Sequence, residues 1–561
     1  MTRRNSQLPW TGRRSGGIYG GGGNRDYRRL ALLGLIVLGV LALGYFLVSK
    51  ACGGDPCTER YCASSDSIAA PEGSEFVTKL YSYNTKIKPE EGKNLVVHLP
   101  LTKATTDARN LSFSRYVPES KTWETITAAS LDGSSVSATL QGTPQIIAVL
   151  RRQTPGGSVV AYLPHNGQLH PDAVGHITVL HTQDFTPAPD GGVAGELSTI
   201  KPDSSVMFLP EIQASNEIAG SVQVVKTLLS NAASRSAHVQ NISNKVADSN
   251  VGGVDISYQD LTVNERSSFT LFIGELADRL HSQNKHLTVT LPPPLKLPDR
   301  MDEGAYDWAE LAKSADLLQI MPYRDQGAYR KDMPDILQYL VGKVQPSTKL
   351  ILTVSPYATE KAADGIRTMN ITDAMAIATA LTIRTGTDQK LTTNTQVVIA
   401  ATNINKIDGR TGMAWDENSA TVAFTYEQNG GRTVYLENFF SIGFKLAYIP
   451  QFKLGGVAVE DASAGEFLGN IWTAIVPYIT SGQPTLMQPN HDDLKPQWKL
   501  QKGAFDDSGK GQGTWTTPAD AGTYTVTLTL SDGVSHFQRE IAANVQAKTT
   551  TNTTASSTPS G

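Results

Sequence analysis

Between Gly157 and Ile479, short apolar runs alternate with helical segments about eight times. The apolar runs include "GSVVAYLP", "HITVLHTQDF", "GGVDISY", "HLTVTLPP", "LLQIMPY", "KLILTVSPY" and "GGVAVE", and amphipathic segments such as "ERSSFTLFIGELADRLHSQ" separate them. Strands that are joined by helices and covered on both faces are expected to be apolar along their whole length. The alternation therefore predicts a (β/α)8 TIM barrel over residues 157–485.

Two small β-rich regions flank this predicted barrel. Residues 76–152 contain short strand-like runs separated by turn signals such as "PEEGK" and "LDGSS", which predicts a β-sandwich. Residues 490–547 contain alternating strands and a Gly-Thr-Tyr corner, which predicts a second, immunoglobulin- or PKD-like β-sandwich. The Thr/Ser-rich residues 548–561 are predicted to be a disordered tail.

The N-terminal region predicts a membrane anchor. Residues 1–29 are rich in Gly and Arg, and they precede an uncharged apolar run, "LALLGLIVLGVLALGYFLV", at residues 30–48. The run is long enough to cross a bilayer as one transmembrane helix. The arginine cluster predicts a disordered cytoplasmic tail, with the bulk of the chain outside the cytoplasm. A cleaved signal peptide is the alternative.

All three cysteines follow the apolar run, within a predicted linker at residues 49–75. Cys52, Cys57 and Cys62 lack the close pairs or histidine partners of a metal site. An exported location permits a disulfide, and the odd count leaves one thiol over. One hypothesis is a disulfide-linked dimer through one of these cysteines, and the alternative is a small local loop.

The overall charge argues against a nucleic-acid partner. The chain has 49 basic and 53 acidic residues, for a net charge of −4, and so carries no general basic field. His165, His176, His181 and His238 are scattered without the spacing of a metal site, so neither a metal nor a cofactor is predicted.

The predicted barrel resembles glycoside hydrolase family 18, and particularly its spore-cortex, peptidoglycan-directed branch. The resemblance rests on several segments in order, including "SNVGGVDISYQDL", "LFIGELADRLHSQNKHLTVTLPPP", "LLQIMPY" and "RTVYLENFFSIGFKLAYIPQFKLGGVAVE". In this family the fourth strand reads D-G-x-D-x-D-x-E. The glutamate protonates the glycosidic oxygen, and the preceding aspartate holds the substrate's N-acetyl group as it attacks the anomeric carbon.

The acidic positions of that motif are mostly replaced in this sequence. The first aspartate becomes Gly252, the second is kept as Asp255, the third becomes Ser257, and the glutamate becomes Gln259. An acid that follows the sixth strand in the family becomes Arg324, after the matching Met321 and Tyr323, and the tryptophan that ends the last strand becomes Glu460. General acid catalysis contributes ~10²–10⁴ in rate, and an amide such as that of Gln259 cannot supply it. The resemblance therefore implies a degenerate catalytic site.

Other carboxylates offer an alternative. Glu211 is expected at the end of the third strand, and Glu460 at the barrel mouth, where two carboxyls at a suitable separation suffice for glycosidase chemistry. Asp260 is expected to point away from the mouth. The competing interpretation is that Glu211, Arg324 and Glu460 only form ion pairs with one another.

Three hypotheses follow for the function. The first is a membrane-anchored, inactive barrel that binds N-acetylglucosamine-containing glycan or acts as a scaffold, with a ligand site at Asp255, Gln259, Tyr323, Arg324 and Glu460. The second is an active cell-wall hydrolase that uses Glu211 or Glu460. The third is a structural envelope protein whose β-modules bind its partner.

Overall fold

The computed structural model describes residues 57–58, 60–71, 74–88, 94–102, 111–118, 120–141, 143–152, 156–385, 390–401, 413–508 and 511–549. The predicted cytoplasmic tail, the apolar run at residues 30–48, Cys52 and most of the Thr/Ser-rich tail lie outside these residues. Within the described ranges, no helix has the length and apolar character needed to span a bilayer. The membrane anchor at residues 30–48 thus stays a prediction.

Eight parallel strands form a closed barrel, which confirms the fold predicted for the central region. They are β1 (Ser158–Pro164), β2 (Val179–Pro187), β3 (Glu211–Ala214), β4 (Gly253–Tyr258), β5 (His286–Leu291), β6 (Leu317–Ile320), β7 (Leu350–Val354) and β8 (Gly456–Val459). Each strand pairs with the next, and β1 also pairs with β8, so that the sheet has no open edge between them. The carboxyl ends of all eight strands therefore surround one mouth.

The closing pair of strands depends on a glycine. Gly456 in β8 has φ +152° and stands opposite Ser158 of β1. A Cβ atom at Gly456 would lie only 2.0 Å from the carbonyl oxygen of Ser158. A side chain at this position would therefore push β1 and β8 apart, because real Cβ atoms do not approach a backbone oxygen so closely.

Helices cover the outside of the barrel. The strands are apolar on their outer faces, and Val254, Ile256, Leu287 and Val289 are buried against helical residues such as Phe269. The helices of the described chain are Ser221–Leu229, Ala232–Ala247, Arg266–His281, Trp308–Ser314, Tyr329–Lys343, Ile371–Ala378, Phe439–Leu446, Tyr448–Phe452 and Trp472–Ser481. Because each barrel strand is buried on both of its faces, the sequence shows continuous apolar runs rather than an alternation of apolar and polar residues.

A β-rich insertion lies between β7 and the helix that begins at Phe439. It contains a five-stranded antiparallel sheet whose central hairpin is Thr421–Glu427 and Gly431–Leu436. The other strands are Ala358–Ala362, Gly365–Met369 and Ala414–Asp416. The helix Ile371–Ala378 packs on this sheet through Ile371 and Met375. The same buried cluster includes Leu494, Leu528 and Leu530, so the insertion shares its core with the C-terminal part of the chain.

The C-terminal β module shares strands with this insertion. One of its sheets has the order Leu381–Arg384, Gln396–Ala401, Gln512–Thr516 and Ala504–Asp507. The other contains Gln497–Leu500, Gly522–Ser531 and His536–Val545, and one buried cluster that includes Val397, Trp515 and Val526 joins the two sheets. The predicted boundaries 490–547 are therefore wrong as the limits of a self-contained module, because two of its seven strands come from residues 381–401.

The N-terminal β region also differs from its predicted limits. One sheet contains Cys57–Thr58, Tyr61–Ala63, Ser74–Phe76, Tyr81–Tyr83, Leu111–Val117, Thr122–Ala128 and Ile146–Arg152, and the other contains Asn94–Pro100, Ser130–Asp132 and Ser135–Gln141. Tyr61 and Tyr81 are buried in its core with Phe113. The prediction of a linker up to residue 75 is therefore wrong from Cys57 onward, because that segment supplies strands. An immunoglobulin-like topology for either module stays a prediction.

Two of the cysteines lie on paired strands of the N-terminal region. Cys57 and Cys62 are register partners across the first antiparallel hairpin. No free cysteine occurs among the described residues. The disulfide-linked dimer stays a prediction.

The shared sheet makes a prediction about truncation. A chain that ends at residue 489 loses Gln512–Thr516, the partner of Gln396–Ala401, and exposes the now buried Val397 and Ile399. We expect rapid proteolysis within residues 381–401, because an unpaired strand with exposed apolar side chains opens readily. A chain that begins at residue 156 is the matched control and should resist cleavage there, because both N-terminal sheets lie within residues 57–152. Equal protease resistance of the two shortened chains in 381–401 would contradict this interpretation.

Candidate active site

Alternate residues of β4 carry the motif positions into the barrel. Asp255, Ser257 and Gln259 occupy every second position along the chain, so their side chains share one face of the strand. Asp255 and Ser257 are fully buried, and Gln259 is partly exposed at the mouth. The Gln259 Nε2 donates to Ser257 Oγ at 3.1 Å. The two replaced positions therefore contact each other through a neutral hydrogen bond.

Asp255, the one retained carboxylate, is held by threonine hydroxyls. Its two oxygens accept hydrogen bonds from Thr288 Oγ1 at 2.6 Å and from Thr290 Oγ1 at 2.8 Å, both on β5. Tyr162 from β1 reaches across the barrel to Thr290, with 2.5 Å between the two oxygens. Asp255 thus belongs to a buried polar layer below the mouth.

Glu211 lies in the same layer, and its predicted position is wrong. It begins β3 rather than ending the third strand, and its register partner is Asp255. Pro210 lacks a backbone N–H, and it separates the short pairing at Met207–Phe208 from the strand proper. At about 3.3 Å per residue, the backbone of Glu211 is level with that of Asp255 and lies ~13 Å below the backbone of Gln259 along the strand direction.

The electrostatics of Glu211 favour its neutral form. Burial, followed by the nearby charge of Asp255, raises the pKa of Glu211 to about 8, although hydrogen bonds with Ser257 and Gln183 oppose the shift. Its Oε2 has no hydrogen-bond partner. A carboxyl group in such a place keeps its proton at neutral pH.

His181 also lies inside the barrel and is fully satisfied. Its Nδ1 lies 2.8 Å from the carbonyl oxygen of Leu209, which can only accept, so Nδ1 carries the hydrogen. Its Nε2 accordingly accepts from the side-chain amide of Gln319 at 3.0 Å. This histidine is a structural part of the polar layer.

Arg324 and Glu460 form an ion pair at the mouth. Arg324 Nη1 lies 3.2 Å from Glu460 Oε2, and Nη2 contacts Oε1 as well, in a two-pronged arrangement. The pair joins the loop after β6 to the residue that follows β8 and so spans the end of β7. Glu211 has no part in it, so the predicted three-membered ion-pair network reduces to these two residues.

The remaining predicted residues are engaged at the rim. The Tyr323 hydroxyl donates to Asp332 Oδ2 at 2.9 Å. Asp260 is exposed, with φ +57°, and its Oδ2 accepts from the backbone N–H of Asn216. As expected, the carboxylate of Asp260 does not join Asp255 inside the barrel.

Sequence reasoning missed one feature beside the mouth. Asp461, the residue after Glu460, is buried, and it accepts from the Tyr357 hydroxyl at 2.5 Å and from the Ser463 N–H at 2.9 Å. Asp461 also lines a cavity of about 320 Å³ under the loop after β8. The only sequence signal was an acid at the carboxyl end of a barrel strand, where functional residues concentrate.

The described residues offer no metal site. No group of three or more histidine, cysteine or acidic side chains among them is placed to hold an ion. His165 lies 2.8 Å from Asp184 Oδ1, and His238 is buried between the Gly191 carbonyl and the Tyr258 hydroxyl.

Comparison with protein families identifies a match in this region. The profile described as "Glycosyl hydrolases family 18" matches residues 209–464, from just before β3 to just after β8. The matched segment contains Asp255, Ser257, Gln259, Arg324 and Glu460.

Two curated relatives come from Bacillus subtilis (strain 168). YdhD, which is named as a sporulation-specific glycosylase, is 27% identical over 184 residues, which cover 30% of this chain and 43% of the relative. YvbX, named as an uncharacterized glycosylase, is 22% identical over 236 residues, which cover 40% of this chain and 60% of the relative. The chain thus spans less than two thirds of the length of either relative.

The matches among solved structures include the spore cortex-lytic enzyme SleL of Bacillus megaterium and a chitinase of Chromobacterium violaceum. Both are 18% identical, with a TM-score of 0.44. SleL matches over 62% of this chain and 78% of its own, and the chitinase over 57% and 98%.

The buried carboxyl of Glu211 makes a prediction about pH. Its pKa of about 8 in the folded protein exceeds the ordinary value of 4.5, so the folded state binds the proton more tightly than the unfolded state. The stabilisation by this proton is complete below about pH 4.5 and is lost as the pH rises toward 8. Glu211→Gln has no such proton, so its stability relative to the native protein should rise with pH, by up to about 1.4 kcal/mol per pH unit.

Denaturant unfolding at pH 5, 6.5 and 8 measures this effect. Glu211→Ala is the matched variant: it should show the same trend, offset to lower stability by the cavity it leaves. A constant difference between Glu211→Gln and the native protein across this range would mean that Glu211 is ionised throughout.

Proposed function

The barrel of this chain belongs to glycoside hydrolase family 18, and on that premise we propose that it binds N-acetylglucosamine-containing glycan, of the peptidoglycan or chitin type, without cleaving it. We further propose that the protein is anchored by residues 30–48 and acts outside the cytoplasm. The observation that carries the proposal is the neutral Gln259–Ser257 hydrogen bond at the mouth, where the family mechanism needs two carboxyls.

The chemistry of β4 supports the loss of cleavage. The Gln259 amide has no proton to give a departing sugar oxygen near neutral pH. Ser257 is uncharged and cannot balance the positive charge that builds on a cyclised acetamido group. Both carboxylate oxygens of Asp255 accept hydrogen bonds from Thr288 and Thr290, and Asp255 lies four residues before Gln259 along the chain, deeper in the barrel.

The candidate replacement acids do not meet the need either. Glu211 holds a proton, but it is buried below the mouth, in register with Asp255 and beside Ser257. Glu460 is at the right end of the barrel, but both of its oxygens contact Arg324. A carboxylate whose two oxygens both contact a guanidinium is not free to approach a departing sugar oxygen. A rewired hydrolase is therefore disfavoured.

A scaffold without a glycan ligand is the second candidate. The Arg324–Glu460 pair favours it, because it connects the loop after β6 to the residue that follows β8 at the barrel mouth. The same pair also offers charged hydrogen-bonding groups to a polar ligand. The two functions predict different effects on glycan binding when both Arg324 and Glu460 are replaced.

The first test measures binding and cleavage together. We expect calorimetric titration with N-acetylglucosamine oligomers to detect binding, while an assay of reducing ends on peptidoglycan and chitin detects no release. Gln259→Ala should weaken binding by about tenfold, since a hydrogen bond to a ligand contributes roughly 1 kcal/mol or more. Gln240→Ala, on the outer helix Ala232–Ala247, is the control.

Release of reducing ends that Glu460→Gln abolishes would establish a hydrolase and overturn the proposal. A folded protein that binds neither peptidoglycan nor the oligomers would leave only the scaffold.

The second test concerns the ion pair. If Arg324 and Glu460 contribute to glycan binding, Arg324→Ala and Glu460→Ala should each weaken it, and the double variant should bind no better than either. If the pair only obstructs the mouth, the double variant should bind more tightly than the native protein. Because both side chains are partly exposed, the free energy of unfolding should change by less than ~1 kcal/mol.

A further inference from the structure

A cavity beside the barrel mouth lies under the loop that follows β8. Its volume is about 320 Å³, and Pro356, which follows β7, lines it on the barrel side. Its lining residues are His170, Pro356, Asp461, Ser463, Gly465, Glu466, Leu468, Gly469, Asn470, Ile471 and Trp472. None of them is a position of the degenerate motif, and Asp461 directly follows Glu460 of the mouth.

The loop over this cavity is held in place by backbone contacts. The N–H of Ala462 donates to Tyr162 at 2.8 Å, that of Ala464 to Gln168 at 2.9 Å, and that of Gly469 to Pro356 at 3.0 Å. A Cβ atom at Gly469 would lie 2.7 Å from the carbonyl oxygen of Glu437, so the loop packs closely on the insertion. The cavity is therefore formed before any ligand arrives, which lowers the entropic cost of binding.

The charges of the lining are unbalanced. Asp461 is 7% exposed and accepts only from a hydroxyl and a backbone N–H, and Glu466 is exposed at the rim. No lysine or arginine lines the cavity. Neither acid takes part in an ion pair within the described part of the chain. A carboxylate buried in a cavity wall without a cationic side chain leaves a negative potential there.

The other polar groups add directional hydrogen bonding. His170 Nδ1 accepts from the Asp172 N–H at 3.2 Å, which leaves Nε2 as a donor. Asn470 Oδ1 accepts from the Trp472 N–H at 3.2 Å, so its NH2 group is the part left for a ligand. The exposed ring of Phe467 lies against Gly465, which itself lines the cavity, and adds an apolar surface at the rim.

We propose that this cavity binds a primary ammonium group carried on a small polar ligand. Asp461 and Glu466 receive the positive charge, and His170 and Asn470 donate to neighbouring oxygens of the ligand. The free amine of a glucosamine unit and the side-chain amine of an amino acid share this chemistry. The inference goes beyond the proposed function, which concerns N-acetylated glycan at the mouth.

Titration of the full chain with three probes tests the proposal. The probes are a glucosamine tetramer, Nα-acetyl-lysine amide and an N-acetylglucosamine tetramer, each followed by calorimetry at low and high salt. At least one of the two amines should bind, more weakly at high salt because the attraction is between charges. Whichever amine binds more tightly identifies the source.

Two substitutions give the expected changes. Asp461→Asn should weaken amine binding by about tenfold, as expected for loss of a charged hydrogen bond, and Glu466→Gln by about threefold. Glu417→Gln, an exposed acid that pairs with Arg330 elsewhere, is the control and should have no effect. Binding of the N-acetylated tetramer should be the same in all three variants.

The outcomes separate the two proposals. If neither amine binds, or if both Asp461→Asn and Glu466→Gln leave amine binding unchanged, the ammonium site is overturned. Because Glu466 is exposed, Glu466→Gln remains informative even if Asp461→Asn does not fold. Amine binding without any binding of the N-acetylated tetramer would overturn the glycan proposal and leave the ammonium site standing.

Discussion

The pairing of β1 with both β2 and β8 is the constraint on which the rest of this structure depends. It closes the sheet, and closure places the carboxyl ends of eight strands around one mouth. Gly456 permits the close approach of β8 to the Ser158 carbonyl. The Gln259–Ser257 contact, the Arg324–Glu460 pair and the cavity after β8 all lie at that ring of strand ends.

Polar side chains extend well below the mouth into the barrel interior. Asp255, Glu211, His181 and Gln319 form a buried layer below the mouth, and hydrogen bonds to threonine, tyrosine and backbone groups satisfy most of it. Leaving a buried charge or amide unpaired is costly, so such a layer is stable only as a set. The proton on Glu211 completes the set, because two ionised carboxyls in neighbouring register positions would repel each other.

The regions outside the barrel are joined to it more closely than a chain of separate modules would be. Leu381–Arg384 and Gln396–Ala401 lie in sequence between the insertion's helix Ile371–Ala378 and its hairpin at Thr421, and they form one sheet with C-terminal strands. The buried cluster around Trp515 therefore holds together segments that are more than one hundred residues apart in sequence. The same insertion packs on the loop over the cavity through Gly469. The wall of that cavity is therefore supported by three parts of the chain, namely the barrel, the loop after β8 and the insertion.

The sequence alone determined the barrel and the chemical deficit at its mouth. Apolar runs that alternate with amphipathic helices predict a parallel sheet covered by helices, and about eight such units together with the family resemblance predict that it closes into a barrel. Ser257 and Gln259 are neutral in any fold. Only the tertiary structure decided which acidic residues lie at the same height along the barrel axis. Glu211 pairs in register with Asp255, and Arg324 meets Glu460 across β7, because strand register and loop closure bring together residues that are distant along the chain. The strand exchange at residues 381–401 and the cavity at Asp461 could not be predicted for the same reason: local patterns specify strands and charges, but long-range packing chooses their partners.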